Sequence, residues 1–166
     1  WPKASCMLMP FESRQSMAIG RSEKIVRGRS TMPNMSRSPP VISAIARAVT
    51  GGLEQGGVLP VLKHIPGHGR ATADSHFRLP TIDTPRETLE KTDFAAFRPL
   101  ADLPMAMTAH VVFSALDPAQ PATTSATIIR QVIRGVIGFQ GLLMSDDVSM
   151  NALAGSIAER TRAIVN

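Results

Sequence analysis

The sequence predicts an α/β fold in which helices cover a parallel sheet, and three observations indicate it. Helical and strand-like patterns alternate from Val41 onward, as they do in repeated strand–helix units. Each predicted strand is a short, almost uninterrupted apolar run, which is typical of a strand buried on both faces. Polar side chains follow directly after these strands. We therefore expect one α/β unit over residues 41–166, with its chemistry at the strand ends.

The first predicted elements are a helix over Val41–Gln55 and a strand over Val58–Leu62. Gly56 follows the helix and is a common stop signal. The strand then delivers Lys63 and His64 at its carboxyl end. Four apolar residues support the helix by their spacing: Ile42, Ile45, Val49 and Leu53.

The middle of the chain predicts another helix and another strand. The helix starts near Thr84, which can cap it, and Pro85 suits the first helical position. It runs to about Phe97. A strand over Met105–Thr108 follows and leads to His110.

The last predicted elements are a helix after Ser125, a strand over Leu142–Ser145 and a helix from about Ile157. Gly138 ends the first of these helices, and Asp146 follows the strand. One apolar stripe defines the helix after Ser125: Ile128, Ile129, Val132, Ile133 and Val136.

Residues 1–40 differ from the rest of the chain in composition. They show neither alternation nor a helical period, and Met, Arg, Ser and Pro are scattered through them. Such a segment buries too little apolar surface to offset chain entropy, so one hypothesis is a disordered basic arm. The other hypothesis is a segment translated out of frame or from a misassigned start.

The basic charge lies in the same N-terminal region. Residues 1–45 hold seven basic and two acidic residues, which accounts for the whole formal net charge of +5. Because the remainder is neutral, we expect no nucleic-acid partner. No apolar run reaches the length of a membrane span, no signal peptide is evident, and Cys6 has no second cysteine to pair with. We expect a cytoplasmic protein without membrane contact.

Polar side chains at three predicted strand ends favour a functional site. These are Lys63 with His64 after one strand, His110 after the next, and Asp146 after the last. In α/β barrels the side chains at the carboxyl ends of the strands line the active-site face. A single such residue is often only a turn or cap residue, whereas three together indicate a site.

Two motifs within one segment resemble the β-N-acetylhexosaminidases of glycoside hydrolase family 3. That family carries Lys-His-Phe-Pro-Gly-His-Gly and then Asp-Ser-His on a mobile loop. This chain has Lys63-His64-Ile65-Pro66-Gly67-His68-Gly69 followed by Asp74-Ser75-His76. Later segments fall in the family's order: Ala109-His110-Val111, Asp117-Pro118, Gly138-Phe139 and Ser145-Asp146-Asp147-Val148-Ser149-Met150.

The resemblance covers roughly Ala46 to Asn166 and implies a partial (β/α)8 TIM barrel made of its C-terminal strands and helices. Convincing counterparts of the family's earlier sugar-gripping residues are missing; the run from Ile19 to Ser22 is only a faint echo. We therefore expect a truncated catalytic domain that is inactive alone.

The resemblance also implies roles for individual residues. Asp146 matches the nucleophile of a retaining glycosidase, and His76 matches the acid/base with Asp74 as its partner. In a turn, Asp74 can fix the tautomer of His76 and stabilise the imidazolium. Lys63 and His64 match residues that hydrogen-bond the sugar hydroxyls.

The implied reaction removes a terminal β-linked N-acetylglucosamine from an amino-sugar glycoside, without a cofactor or metal, in an enzyme that is a monomer when intact. Relatives act on muropeptide fragments in cell-wall recycling. One alternative is a non-catalytic remnant of a disrupted gene. A second is a metal-dependent hydrolase, although the chain has no His-x-x-x-His pair on a helix and no cysteine pair. The zinc ligands would then come from His64, His68, His76, His110 and Asp146.

Overall fold

The computed structural model describes residues 38–165, which form two small sheets and their flanking helices. The predicted N-terminal arm, residues 1–40, lies outside the described residues except for its last three. Of those three, Pro39 and Pro40 already belong to the first helix.

The elements follow one another in the alternating order that the sequence predicts. In chain order they are α1 (Pro39–Gln55), β1 (Val61–Ile65), β2 (Thr81–Ile82), α2 (Arg86–Lys91), α3 (Asp93–Phe97), a 3-10 helix (Arg98–Leu100), β3 (Met105–Thr108), β4 (Val112–Phe113), β5 (Asp117–Pro121), a π-helix (Ile128–Ile137), β6 (Leu142–Met144) and α4 (Ile157–Val165).

The main sheet contains β1, β3 and β6 in that order, and both pairings are parallel. Helices lie in the connections from β1 to β3 and from β3 to β6, and the carboxyl ends of all three parallel strands lie on one edge of the sheet. The predicted α/β class with a parallel sheet is confirmed.

The first strand lies three residues later than predicted, at Val61–Ile65 instead of Val58–Leu62. Pro60 has no amide proton for a sheet hydrogen bond, and the pairing with β3 begins at Val61. Lys63 and His64 therefore lie inside β1 and not beyond its end.

A second, smaller sheet was not predicted. It contains β2, β4 and β5; β2 pairs parallel with β4, and β4 pairs antiparallel with β5. Two of these strands are two residues long, too short for any alternation to appear in the sequence. The third holds Pro118 and Pro121. Its first strand, β2, follows the segment that contains Asp74 and His76 in the sequence.

The core lies between the main sheet and the helices. The rings of Phe94 and Phe113 meet edge to face with their centroids 6.2 Å apart. Gly138 ends the π-helix at φ +84°, as the sequence predicts. The largest fully buried apolar side chains are Phe94, Phe97, Phe113, Phe139, Ile65, Leu89, Leu100, Ile128, Ile133, Val111 and Val132.

Helix α1 buries a different face from the one its apolar residues predict. Its buried residues are Ser43, Ala46 and Thr50, and the hydroxyl of Ser43 donates to the carbonyl of Ala96 at 2.8 Å. These small side chains let α1 approach α3 closely. The exposed large side chains of the helix are Ile45, Val49 and Leu53.

The helix predicted from Thr84 to Phe97 is divided into α2 and α3. Thr92 interrupts it with φ −120° and ψ −74°, and its hydroxyl donates to the carbonyl of Thr88 at 2.6 Å. Threonine competes with the helical backbone in this way because its short side chain reaches the preceding turn. The break places Asp93 at the start of α3.

Candidate active site

The carboxyl ends of β1, β3 and β6 bring three side chains together, and we call His64, His110 and Asp146 the strand-end cluster. His64 lies where the register between β1 and β3 shifts. Its Nε2 is 3.3 Å from Oδ2 of Asp146. The two side chains are 17% and 18% exposed, so the pair is largely shielded from solvent.

The surroundings of Asp146 hold it in the carboxylate form. Its Oδ1 accepts a hydrogen bond from the amide of Asp147 at 2.8 Å. Burial alone would raise the pKa of Asp146. The hydrogen bonds from His64 and from the Asp147 amide, together with the electrostatic influence of the His64 and His110 rings, outweigh burial and lower this pKa to about 2. Asp146 is therefore ionised at neutral pH, as a carboxylate nucleophile must be.

His110 is a buried member of the cluster with a fixed orientation. It is 1% exposed, and its Nε2 donates to the carbonyl of Asp147 at 3.0 Å. Nδ1 lies 2.7 Å from the hydroxyl of Thr123. Burial lowers the pKa of His110, opposed by the hydrogen bond to Asp147 and by nearby carboxylates. A carbonyl oxygen only accepts, so Nε2 of His110 carries a proton, and both ring nitrogens have hydrogen-bond partners that fix the ring.

Asp74 and His76 form a second unit, which we call the loop dyad. Oδ1 of Asp74 lies 2.7 Å from Nδ1 of His76 and also accepts the backbone amide of His76 at 3.0 Å. A carboxylate only accepts, so Nδ1 carries the proton, and Nε2 remains for proton exchange. The side chain of His76 is 71% exposed and that of Asp74 is 42% exposed.

Two contacts connect the loop dyad to its surroundings. Ser75, between the two dyad residues, is buried, and its hydroxyl lies 3.3 Å from Nε2 of His68. The ring centroids of His68 and His64 are 5.7 Å apart. On the other side, the amide of Asn151 donates to the carbonyl of His76 at 3.4 Å. The loop thus contacts both the β1 end and the segment that follows Asp146.

An ion pair anchors the segment that leads into the loop dyad. Nε of Arg70 lies 2.7 Å from Oδ2 of Asp93, and Nη2 of Arg70 donates to Thr92 at 3.0 Å. Gly67 has φ +149°, and a Cβ there would lie 3.3 Å from the Cβ of Asp93. Glycine lets this segment pass close to the start of α3.

Arg160 of α4 anchors the segment after Asp146. Its Nη1 donates to the carbonyls of Val148 at 2.8 Å and Met150 at 3.1 Å. Its Nε donates to the carbonyl of Gly155 at 2.9 Å. One side chain therefore holds three carbonyl groups of the loop between β6 and α4.

The structure places the residues singled out from the sequence in two groups. His64 and Asp146 are in contact at the strand ends, with Lys63 half-buried one residue before His64. Asp74 and His76 are in contact on the loop. Within residues 38–165, no hydrogen bond or ion pair joins the side chains of His76 and Asp146.

Several residues that support the site were not identified from the sequence. Thr123 orients His110, and Arg70 pairs with Asp93. Arg160 acts on carbonyl groups, and backbone acceptors leave no sequence pattern. His110 itself was noted at a strand end, which was the available signal for its place in the cluster.

Residues 38–165 contain no group of three or more His, Cys, Asp or Glu side chains arranged to hold a metal ion. None of the helices described there is long and apolar enough to cross a membrane.

Comparison with protein families gives a match to the glycosyl hydrolase family 3 N terminal domain over residues 20–165. A β-hexosaminidase of Alkalilimnicola ehrlichii is 43% identical over 98% of this chain and 48% of its own length. A β-hexosaminidase of Tolumonas auensis is 37% identical over 89% of this chain and 44% of its own length. The chain thus spans about half the length of these two relatives.

The chain is also similar to solved structures of proteins from this family. NagZ from Neisseria gonorrhoeae, in complex with N-trifluoroacetyl-D-glucosamine, superposes with a TM-score of 0.69 and 38% identity. The match covers 78% of this chain and 38% of that protein. A family 3 β-N-acetylglucosaminidase from a Paenibacillus species gives a TM-score of 0.72 and 34% identity, over 76% of this chain and 25% of that protein.

Proposed function

This chain belongs to glycosyl hydrolase family 3, and from that membership we propose that it carries the catalytic residues of a retaining β-N-acetylhexosaminidase. The enzyme would remove a terminal β-linked N-acetylglucosamine. The observation that supports the chemistry most is Asp146, a carboxylate kept ionised at the end of β6 with its pKa lowered to about 2. The sugar assignment rests on the names of the relatives.

In the first step, Asp146 attacks the anomeric carbon, and an ester bond forms as the bond to the leaving oxygen breaks. His76 gives the proton on Nε2 to that oxygen. The carboxylate of Asp74 holds the imidazole ring in place through Nδ1. In the second step, His76 takes a proton from water, which attacks the anomeric carbon and releases Asp146. Two inversions give net retention.

We assign substrate binding to Lys63 and His64. Both lie at the carboxyl end of β1, and His64 contacts the proposed nucleophile. An ammonium group offers three donors, and Nδ1 of His64 is a buried ring nitrogen without a hydrogen-bond partner among the described residues, which suits the hydroxyl groups of a sugar. These two groups would hold the ring so that its anomeric carbon faces Asp146.

We also propose that the main sheet is part of a (β/α)8 barrel. The parallel order of β1, β3 and β6 with helical connections supports this, as does the position of the strand-end cluster at the carboxyl ends. In such barrels the active site lies at that face. The alternatives, a non-catalytic remnant and a metal-dependent hydrolase, are not favoured, because the relatives are named β-hexosaminidases.

The experiment uses the full-length protein with 4-nitrophenyl β-N-acetylglucosaminide. We expect release of 4-nitrophenol, and proton NMR of early time points should show the β anomer of N-acetylglucosamine first. The corresponding β-glucoside is the control and should react much more slowly. Absence of hydrolysis, early appearance of the α anomer, or loss of activity with a chelator would overturn the proposal.

A further inference from the structure

Phe77 is a large aromatic residue on the surface that neither the core nor the proposed chemistry uses. Its side chain is 76% exposed and comes directly after His76. The other four phenylalanines of the described region, Phe94, Phe97, Phe113 and Phe139, are fully buried. Among the described residues, the ring of Phe77 is therefore an accessible apolar surface directly beside the loop dyad.

The backbone that carries Phe77 is ordered by its neighbours. The amides of Phe77 and Arg78 both donate to the carbonyl of Asp74, at 3.1 and 3.2 Å. Ser75 before it and Pro80 after it are buried, and the carbonyl of Pro80 accepts the amide of Val112 at 3.0 Å. The ring is thus carried by a hydrogen-bonded turn between two buried residues.

The position of Phe77 relative to the reacting bond follows from the proposed function, on which this inference rests. His76 protonates the oxygen of the leaving group, so that group must lie against Nε2 of His76. Neighbouring Cα atoms are about 3.8 Å apart, so the ring of Phe77 is attached to the backbone directly beside His76, in the same turn. The sugar on the other side of the bond faces Asp146 instead.

We propose that Phe77 is a specificity residue that packs on the leaving group, and that it favours leaving groups with an apolar face. An aromatic ring, or the face of a second sugar that bears C–H bonds, would cover the exposed side chain. Removing this contact should weaken transition-state binding only when the leaving group is large enough to reach it.

The test compares Phe77→Ala with wild type in the full-length protein on two N-acetylglucosaminides, one with a 4-methylumbelliferyl and one with a methyl leaving group. We expect kcat/KM to fall about tenfold on the aryl substrate, the value of burying part of an aromatic ring. On the methyl substrate it should change by less than about twofold, since a methyl group offers little area to cover. Phe77→Tyr keeps the ring and should restore the aryl rate.

A third variant separates this contact from an effect on the acid/base. His76→Ala should lose more activity on the methyl substrate, because a poor leaving group depends more on protonation. For Phe77→Ala, a larger loss on the methyl substrate than on the aryl substrate, equal losses on both, or no loss on either would overturn the proposal. Wild-type protein that cleaves neither substrate would overturn the proposed function itself, and the inference with it.

Discussion

The strand-end cluster and the loop dyad each pair a histidine with an aspartate, but they differ in burial. His64 and Asp146 are 17% and 18% exposed at the end of a parallel sheet, whereas His76 and Asp74 are 71% and 42% exposed on a loop. The difference fits the two proposed tasks. A nucleophile must be fixed and ionised, and burial strengthens the interactions that fix it. An acid/base residue must give up a proton and regain one from water, so it needs access to solvent.

The largest expected effect on activity is that of a substitution in the strand-end cluster, the more buried of the two pairs. Asp146→Asn keeps the size of the side chain but removes the nucleophilic charge, so kcat on the 4-nitrophenyl substrate should fall by about a thousandfold or more. Steady-state kinetics of the full-length protein measure it.

Asp147→Asn is the matched control for that variant. The carboxylate of Asp147 accepts the amide of Ser149 at 2.8 Å and is exposed, while its backbone carbonyl is what contacts His110. We expect a change of less than about threefold, the scale of one surface hydrogen bond. Equal losses in the two variants would remove the distinction between the neighbouring aspartates.

A substitution in the loop dyad should lower activity by an amount that depends on the leaving group. In His76→Ala, kcat/KM for the phenyl glycoside should fall by about a hundredfold, the lower range of general acid catalysis. For the 2,4-dinitrophenyl glycoside the loss should be much smaller, because that leaving group needs no proton. A plot of log kcat/KM against leaving-group pKa should steepen; an unchanged slope would exclude His76 as the acid.

The ionisation of Asp146 gives a test based on pH. Burial raises the pKa of Asp146, and His64 supplies part of the interaction that lowers it to about 2. In His64→Gln that part is lost, so the pKa rises. The reactive form is the ionised one, and activity is lost as the pH falls through this pKa. The acid limb of the kcat/KM profile should therefore move to higher pH.

The same variant should also lose about tenfold in kcat/KM at neutral pH, the value of one charge-assisted hydrogen bond. Circular dichroism at each pH distinguishes loss of the carboxylate from unfolding. An acid limb at the wild-type position would show that His64 does not control Asp146.

The smallest effect concerns the anchoring of the loop dyad. Arg70→Ala removes the ion pair with Asp93, and kcat/KM should fall up to about fivefold, since such pairs contribute about 1 kcal/mol or less. Arg86→Ala is a matched control: its Nε also lies 2.7 Å from a carboxylate, that of Glu90, but the pair lies within α2. It should leave kcat/KM unchanged. Equal effects would show that Arg70 does not position the loop.

Much of the fold could be predicted because its signals are local. The helix that follows Ser125 has a regular apolar stripe and a glycine stop, and its bounds were close to those observed. The predicted buried face of α1 was wrong. The buried residues Ser43, Ala46 and Thr50 are small, and Ser43 hydrogen-bonds to α3, a tertiary contact that the apolar pattern of the helix does not reveal. The second sheet was missed because its strands are too short to carry a pattern.

The candidate site likewise combines a contact between neighbouring positions with contacts between positions that are distant in the sequence. The resemblance to the family implied the pairing of Asp74 with His76, and the contact is local because the two positions lie in one turn. The contact of His64 with Asp146 joins positions far apart in sequence and required the order of the strands. The anchors Arg70 and Thr123 act through partners on other elements, and a single sequence contains no signal for them.

The division of labour between Asp146 and His76 is tested most directly by adding azide to two variants and determining the configuration of the glycosyl azide formed. In Asp146→Ala, azide should replace the nucleophile and attack the aryl glycoside once, which gives the α-glycosyl azide by one inversion. In His76→Ala, azide should attack the glycosyl-enzyme intermediate, which gives the β-glycosyl azide by two inversions. The reverse pattern, or the same anomer from both variants, would contradict the assignment.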